Sequence, residues 1–141
     1  MPLVRIALNA ETPKETQRAI ADGVHEGMME AIGIPKSDRF QIIDERPADS
    51  LIFDDSYLDV ARQQVVFIQI FLVRGRTLEQ KQALYRHVAD NLGQVGVRPE
   101  DVFIQLTETG REDWSFGDGK AQALDTELLT RYGWTPPGEA T

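Results

Sequence analysis

Cysteine is absent from this chain, which excludes disulfides, thiolate nucleophiles and Cys-ligated zinc. No apolar run approaches the ~20 residues that a membrane-crossing helix needs. The N-terminus lacks the basic and apolar regions of a signal peptide. Positive charge is scarce: 15 Lys and Arg stand against 23 Asp and Glu, giving a formal net charge of −8. No basic tract offers the positive face that phosphate backbones require, so nucleic acid is not an expected partner. Metal-ligand spacing is missing too, and His25 and His87 fall within helical segments and read as non-catalytic. Gly117 and Gly119 lack the flanking strand and helix of a phosphate-binding loop. The expectation is a cytoplasmic protein that needs no cofactor and no metal, with no nucleic acid or membrane partner.

What is present suits one domain. The chain has 141 residues, 41% hydrophobic and 27% charged, an ordinary globular composition. In so acidic a chain, any arginine cluster is informative, because an anion site must gather its few cations locally.

The sequence is organised as one unit used twice. Val4, Ile6 and Leu8 alternate along an opening strand, with Pro2 at a strand head, where no ladder donor is required. Thr12, Pro13 and Glu15 read as a capping box around a first-turn proline. Ile20, Val24, Met28 and Ala31 then recur at helical spacing, and Gly33 is placed to end the helix. Pro35 to Asp38 is a turn, and Arg39 to Ile43 reads as a strand. The pattern returns with an apolar strand over 65–73, a Thr77/Gln80 capping box, and a stripe of Leu84, Val88, Leu92 and Val95 closed by Gly96. A turn at Pro99 to Asp101 leads into a strand over 102–106. The halves match at an offset of about 63–65 residues, a duplication to be sought before any other feature.

This predicts an α+β fold of two tandem β-α-β units, about 2–45 and 64–108, in a single domain over 1–141. Two units give a four-stranded sheet with two helices on one face. The 65–73 strand is apolar on both sides, so its second face implies cover by another subunit. Between the units, 44–64 reads as a mostly polar loop. The extension over 109–141 carries Trp114 and Phe116, then a Pro-rich tail, Trp134 to Gly138, expected to be non-helical and loosely held.

Four features could carry chemistry. Removal of Met1 would leave Pro2 as a secondary amine, able to act as a base, an acid or an iminium former; a plain Pro at position 2 is the ordinary alternative. Arg74 and Arg76, two apart at a strand end, would share a face and converge on one anion; two solvated arginines are the alternative. Asp38 could cap its turn, or lie beside Pro2 and favour the protonated amine, which nearby arginines would oppose. Trp114 and Phe116 could wall a pocket or belong to the core.

Together these features resemble the tautomerase superfamily, and within it the malonate semialdehyde decarboxylase branch. The resemblance covers roughly residues 2–130. It rests on Pro2, on Gly33-Ile34-Pro35 through Asp38-Arg39-Phe40, on Arg74-Gly75-Arg76, and on Asp113-Trp114-Ser115-Phe116-Gly117. It implies a tautomerase fold, a homotrimer, and an N-terminal proline released by loss of Met1. It also implies catalytic roles for Pro2, Asp38, Arg74 and Arg76, with Trp114 and Phe116 as an apolar wall. The expected activity is decarboxylation of a small 3-oxo acid, with substrate held at Arg74, Arg76, Trp114 and Phe116. Two rivals stand beside it: keto–enol tautomerisation of a 2-oxo acid such as phenylpyruvate, and a trimeric small-ligand-binding module without turnover.

Overall fold

The computed structural model describes residues 2–134. Four strands form one mixed sheet: β1 (Pro2–Asn9), β2 (Gln41–Arg46), β3 (Val66–Val73) and β4 (Val102–Thr109). Two main helices join them, α1 (Lys14–Ile32) and α2 (Leu78–Gly93), and a short α3 (Thr126–Arg131) follows. The strand order is β2-β1-β3-β4. β1 runs parallel to β2, β3 parallel to β4, and the two halves meet antiparallel along β1 and β3.

Period-two alternation decides which face the helices cover. Val4, Ile6 and Leu8 of β1 and Val66, Ile68, Ile70 and Leu72 of β3 join one core with Ile20, Val24 and Met28 of α1 and Leu84, Val88 and Leu92 of α2. Ile6, Ile68 and Ile70 have 0% exposure, each worth roughly 1.5–3 kcal/mol of burial. The helices approach closely because α1 presents glycines to α2. A Cβ on Gly27 would lie 2.9 Å from Val88 Cγ2, and one on Gly23 would lie 3.0 Å from Leu92 Cδ1.

The other face is open. Phe67 packs on Phe103 across β3 and β4 with ring centroids 5.2 Å apart, and Phe103 stays 46% exposed. Ile42 is likewise exposed on this side, where Arg5 pairs with Asp44 at 3.1 Å. A second, smaller core sits at the end of β3, where Val73, Ala123, Leu129 and Trp134 pack with Trp114 and Phe116.

Several local expectations are corrected. The Thr12/Glu15 capping box does not form: Pro13 occupies the N-cap with φ −54° and ψ 142°, and no side chain caps the helix. Its fixed φ starts the helix one residue later than expected and leaves Thr12 outside, where the Thr12 carbonyl accepts from Gln17 Nε2 at 2.8 Å. The Thr77/Gln80 box forms in full. Gly33 ends α1 in the left-handed region at φ 67°, whereas α2 ends at Gly93, before Gly96. β2 runs over Gln41–Arg46 and β4 reaches Thr109, and the 44–64 segment holds two 3-10 turns, Ala48–Ser50 and Tyr57–Asp59. Trp134 is not loosely held: it is 5% exposed in the second core. The rest of the Pro-rich tail lies outside the described residues.

Candidate active site

Antiparallel pairing of β1 with β3 brings the start of one beside the end of the other, so Pro2 stands opposite Leu72. Parallel pairing of β3 with β4 continues the row, with Leu72 opposite Glu108 and Val73 opposite Thr109. Parallel pairing of β1 with β2 places the segment before β2 at the same end, where Val4 N donates to the Phe40 carbonyl at 3.0 Å. Topology thus gathers the head of β1, the 38–40 segment and the tails of β3 and β4 at one end of the sheet. Pro2 is buried there, Asp38 and Arg76 are partly buried, and Arg74 is exposed.

Asp38 sits on a tightly held turn. Its N–H donates to the Pro35 carbonyl at 3.0 Å, and Asp38 Oδ2 is buried. The neighbouring Arg39 clamps the segment to α1: Arg39 Nη2 donates to Asp22 Oδ1 at 2.6 Å and Nε to Gln41 Oε1 at 2.8 Å. Gln41 in turn donates to the Ala21 carbonyl at 2.8 Å. The hydrogen bond from Arg39 holds the Asp22 carboxyl below its usual range. Buried His25 meets the Lys36 carbonyl at 2.9 Å through Nε2, which ties the turn to α1.

The two arginines do not lie on one strand face. β3 stops at Val73, and Gly75 turns the chain at φ 129°, a conformation that only glycine adopts readily. Arg76 folds back, and its Nη1 donates to the Val73 carbonyl at 2.8 Å. Burial pushes the Arg76 guanidinium below its usual range, while the carboxylates of Asp38 and Glu108 act the other way. Arg76 therefore shares the electrostatic surroundings of Asp38. Arg74 is tied by its backbone, its N–H donating to the Thr109 carbonyl at 2.9 Å.

The aromatic pair forms a wall. Trp114 and Phe116 stack at 5.6 Å and 6°, and Phe40 meets Phe116 at 5.9 Å. Trp114 Nε1 donates to Thr109 Oγ1 at 2.7 Å, and that hydroxyl donates to the Leu72 carbonyl at 3.1 Å. The wall is thereby fixed to the residue that pairs with Pro2. Thr109 and Glu108 were not singled out in the sequence. Glu108 receives Lys81 Nζ at 2.7 Å. Lys81, the Gly75 N–H and Arg74 together hold its carboxyl below the usual range, Lys81 most strongly. Leu72 and Lys81 lie far in sequence from Thr109 and Glu108, so no local motif marks these pairs, and the fold brings them together.

Comparisons with known proteins identify the family. Models of tautomerase enzymes match residues 38–117 and residues 2–61. Over 127 residues the chain is 39% identical to the probable tautomerase YusQ of Bacillus subtilis, covering 89% of this chain and 100% of that protein. The crystal structure of FG41 malonate semialdehyde decarboxylase inhibited by 3-bromopropiolate superposes with a TM-score of 0.85 at 41% identity, covering 89% of this chain and 96% of the other. A further malonate semialdehyde decarboxylase, solved in wild-type, mutant and inactivated forms, gives a TM-score of 0.83 at 28% identity over 89% of this chain and 98% of its own. On these matches the chain belongs to the tautomerase superfamily of enzymes.

Proposed function

We propose that this enzyme decarboxylates a small 3-oxo acid of the malonate semialdehyde class, using the amine of Pro2 freed by removal of Met1. The observation that carries the reading is the meeting of the β1 head, the Asp38 turn and Arg76 at one end of the sheet. A 3-oxo acid loses CO2 when its carbonyl accepts the electron pair left behind. Protonated Pro2 supplies that sink by hydrogen bonding to the carbonyl oxygen, and neutral Pro2 supplies it as an iminium. Asp38 favours the protonated amine, and Arg76 opposes it. Arg76 and Arg74 orient the carboxylate so that the breaking bond lies perpendicular to the carbonyl plane. A strong ion pair would stabilise the ground state more than the transition state, because the product CO2 is neutral. The Trp114 and Phe116 wall limits that effect by keeping water from the carboxylate. Three copies assemble, in this reading, with the open sheet face as the contact.

The probable-tautomerase relative supports a second reading, ketonisation of a 2-oxo acid enol with neutral Pro2 as base. One set of measurements separates the two. Intact mass spectrometry of untagged protein is expected to show a chain beginning at Pro2. CO2 release from malonate semialdehyde is expected to fall by at least about 30-fold in Pro2→Ala. If the protein instead ketonises phenylpyruvate enol, releases no CO2 and gains rate as an amine deprotonates near neutral pH, the tautomerase reading replaces this one. Retained Met1 in active protein would end both, since an amide nitrogen is neither basic nor nucleophilic.

A further inference from the structure

The turn that carries Arg74 and Arg76 is tethered residue by residue. Arg74 N–H donates to the Thr109 carbonyl at 2.9 Å. Gly75 N–H donates to the Glu108 carboxylate. Arg76 reaches back through Nη1 to the Val73 carbonyl at 2.8 Å. The first and last acceptors are backbone carbonyls, and the middle one is a side chain, so the middle tether is the one that evolution or mutagenesis can remove. It also falls where the chain is loosest. Gly75 has φ 129°, and glycine has more backbone freedom to lose than any other residue. An unheld turn would let the two guanidiniums drift apart. Glu108 is itself held. Register pairs it with Leu72, and Lys81 Nζ donates to it at 2.7 Å. Lys81 lies in the first turn of α2, and its N–H donates to the Thr77 carbonyl at 3.1 Å. The end of β4, the turn and the start of α2 are thus joined through one carboxylate. Its charge works the other way: it acts on both Arg74 and Arg76, and a negative charge there repels the anion they would bind.

We propose that Glu108 is a positioning residue, whose carboxylate clamps the Arg74–Gly75–Arg76 turn so that both guanidiniums meet the substrate carboxylate. The proposal rests on the reading of the two arginines as the site for that carboxylate, and it deepens that reading by naming the group that shapes the site. Its sign separates it from a purely electrostatic role. With the geometry unchanged, removing a negative charge beside two cations strengthens anion binding. Loss of the clamp weakens it, because the cations are then no longer held together.

NMR titration of the labelled full chain with propanoate, an unreactive carboxylate, tests this at pH 7. Glu108→Ala is expected to weaken propanoate binding about tenfold. Glu108→Gln keeps an oxygen to accept the Gly75 N–H and loses the charge, so it is expected to bind propanoate as tightly as the unmodified protein or more tightly. Arg76→Ala should weaken binding as well. Glu108→Thr, too short to reach Gly75 and better suited to a strand, serves if the Ala variant does not fold. Three results count against the inference, and they are distinguishable. Unchanged or tighter binding in Glu108→Ala or Glu108→Thr, with weaker binding in Arg76→Ala, overturns it and leaves the arginine site standing. Equal weakening in Glu108→Gln and Glu108→Ala also overturns it, since the acceptor oxygen would then not matter. If Arg76→Ala binds propanoate as well as the unmodified protein does, the arginine site itself falls, and this inference falls with it.

Discussion

Arg74 and Arg76 are two residues apart and meet different surroundings. Arg76 is partly buried, near Asp38, and anchored to the Val73 carbonyl; Arg74 is exposed and acts on Glu108. A guanidinium already desolvated and held makes a stronger contact with a bound carboxylate than one screened by water. Arg76→Ala is therefore expected to lower kcat/KM for CO2 release by ~30- to 1,000-fold, about 2–4 kcal/mol of lost transition-state stabilisation. Arg74→Ala should cost less, and steady-state kinetics on the two variants give the order directly; equal losses would contradict it. At this scale the sequence offered candidates where they sit in short runs, as in Pro2, Asp38 and the Trp114/Phe116 stretch. It was silent on Thr109 and Glu108, and it gave no partner for Arg39 or Trp134. Those residues matter through partners that only the folded chain brings near, such as Leu72 for Thr109 and Asp22 for Arg39.

Among the elements, periodicity gave both long helices and all four strands, because each buries one face against a common core. Ends were read less well. The first helix begins where Pro13 permits, and α2 ends at Gly93 ahead of Gly96, so side-chain patterns misjudged those boundaries by a residue or more. The join between α2 and β4 has a pH signature. Lys81 on α2 bonds to Glu108 on β4 and holds its carboxyl below its usual 4.5. A depressed folded value means that the link stabilises the protein above about pH 4.5 and is lost as pH falls through the folded value. Urea melts at pH 7 and pH 3.5 are expected to show a smaller acid-induced loss in Glu108→Gln than in the unmodified protein. An identical loss in both would show that the link adds nothing to stability.

For the whole molecule, the open sheet face is the feature with the largest consequence. Phe67, Phe103 and Ile42 lie on it, and no helix of the described residues covers them. Burial of such a face between copies is the economical way to remove it from water. Light scattering at micromolar concentration is expected to give the mass of three chains, and a stable monomer would refute the assembly. Duplication itself was legible in the sequence. Strand order was not, since either half could have been the neighbour of any strand.

The duplication also leaves a second end of the sheet, built like the first. Asp101 leads into β4 as Asp38 leads into β2. Val66 opens β3 where Pro2 opens β1, and Ala10 and Thr12 follow β1 where Arg74 and Arg76 follow β3. Asp101 is buried and already engaged, its carboxylate accepting from the Gln63 N–H at 2.8 Å and from Arg98 at 3.5 Å. A cavity of about 700 Å³ remains there, bordered by Thr12, Val66, Arg98 and Asp101. In the proposed reading only the Pro2 end holds a chain-terminal amine, so the Asp101 end repeats the plan of the site without its reactive group. Substitutions at that end are then expected to change stability and leave the rate at the Pro2 end unaltered.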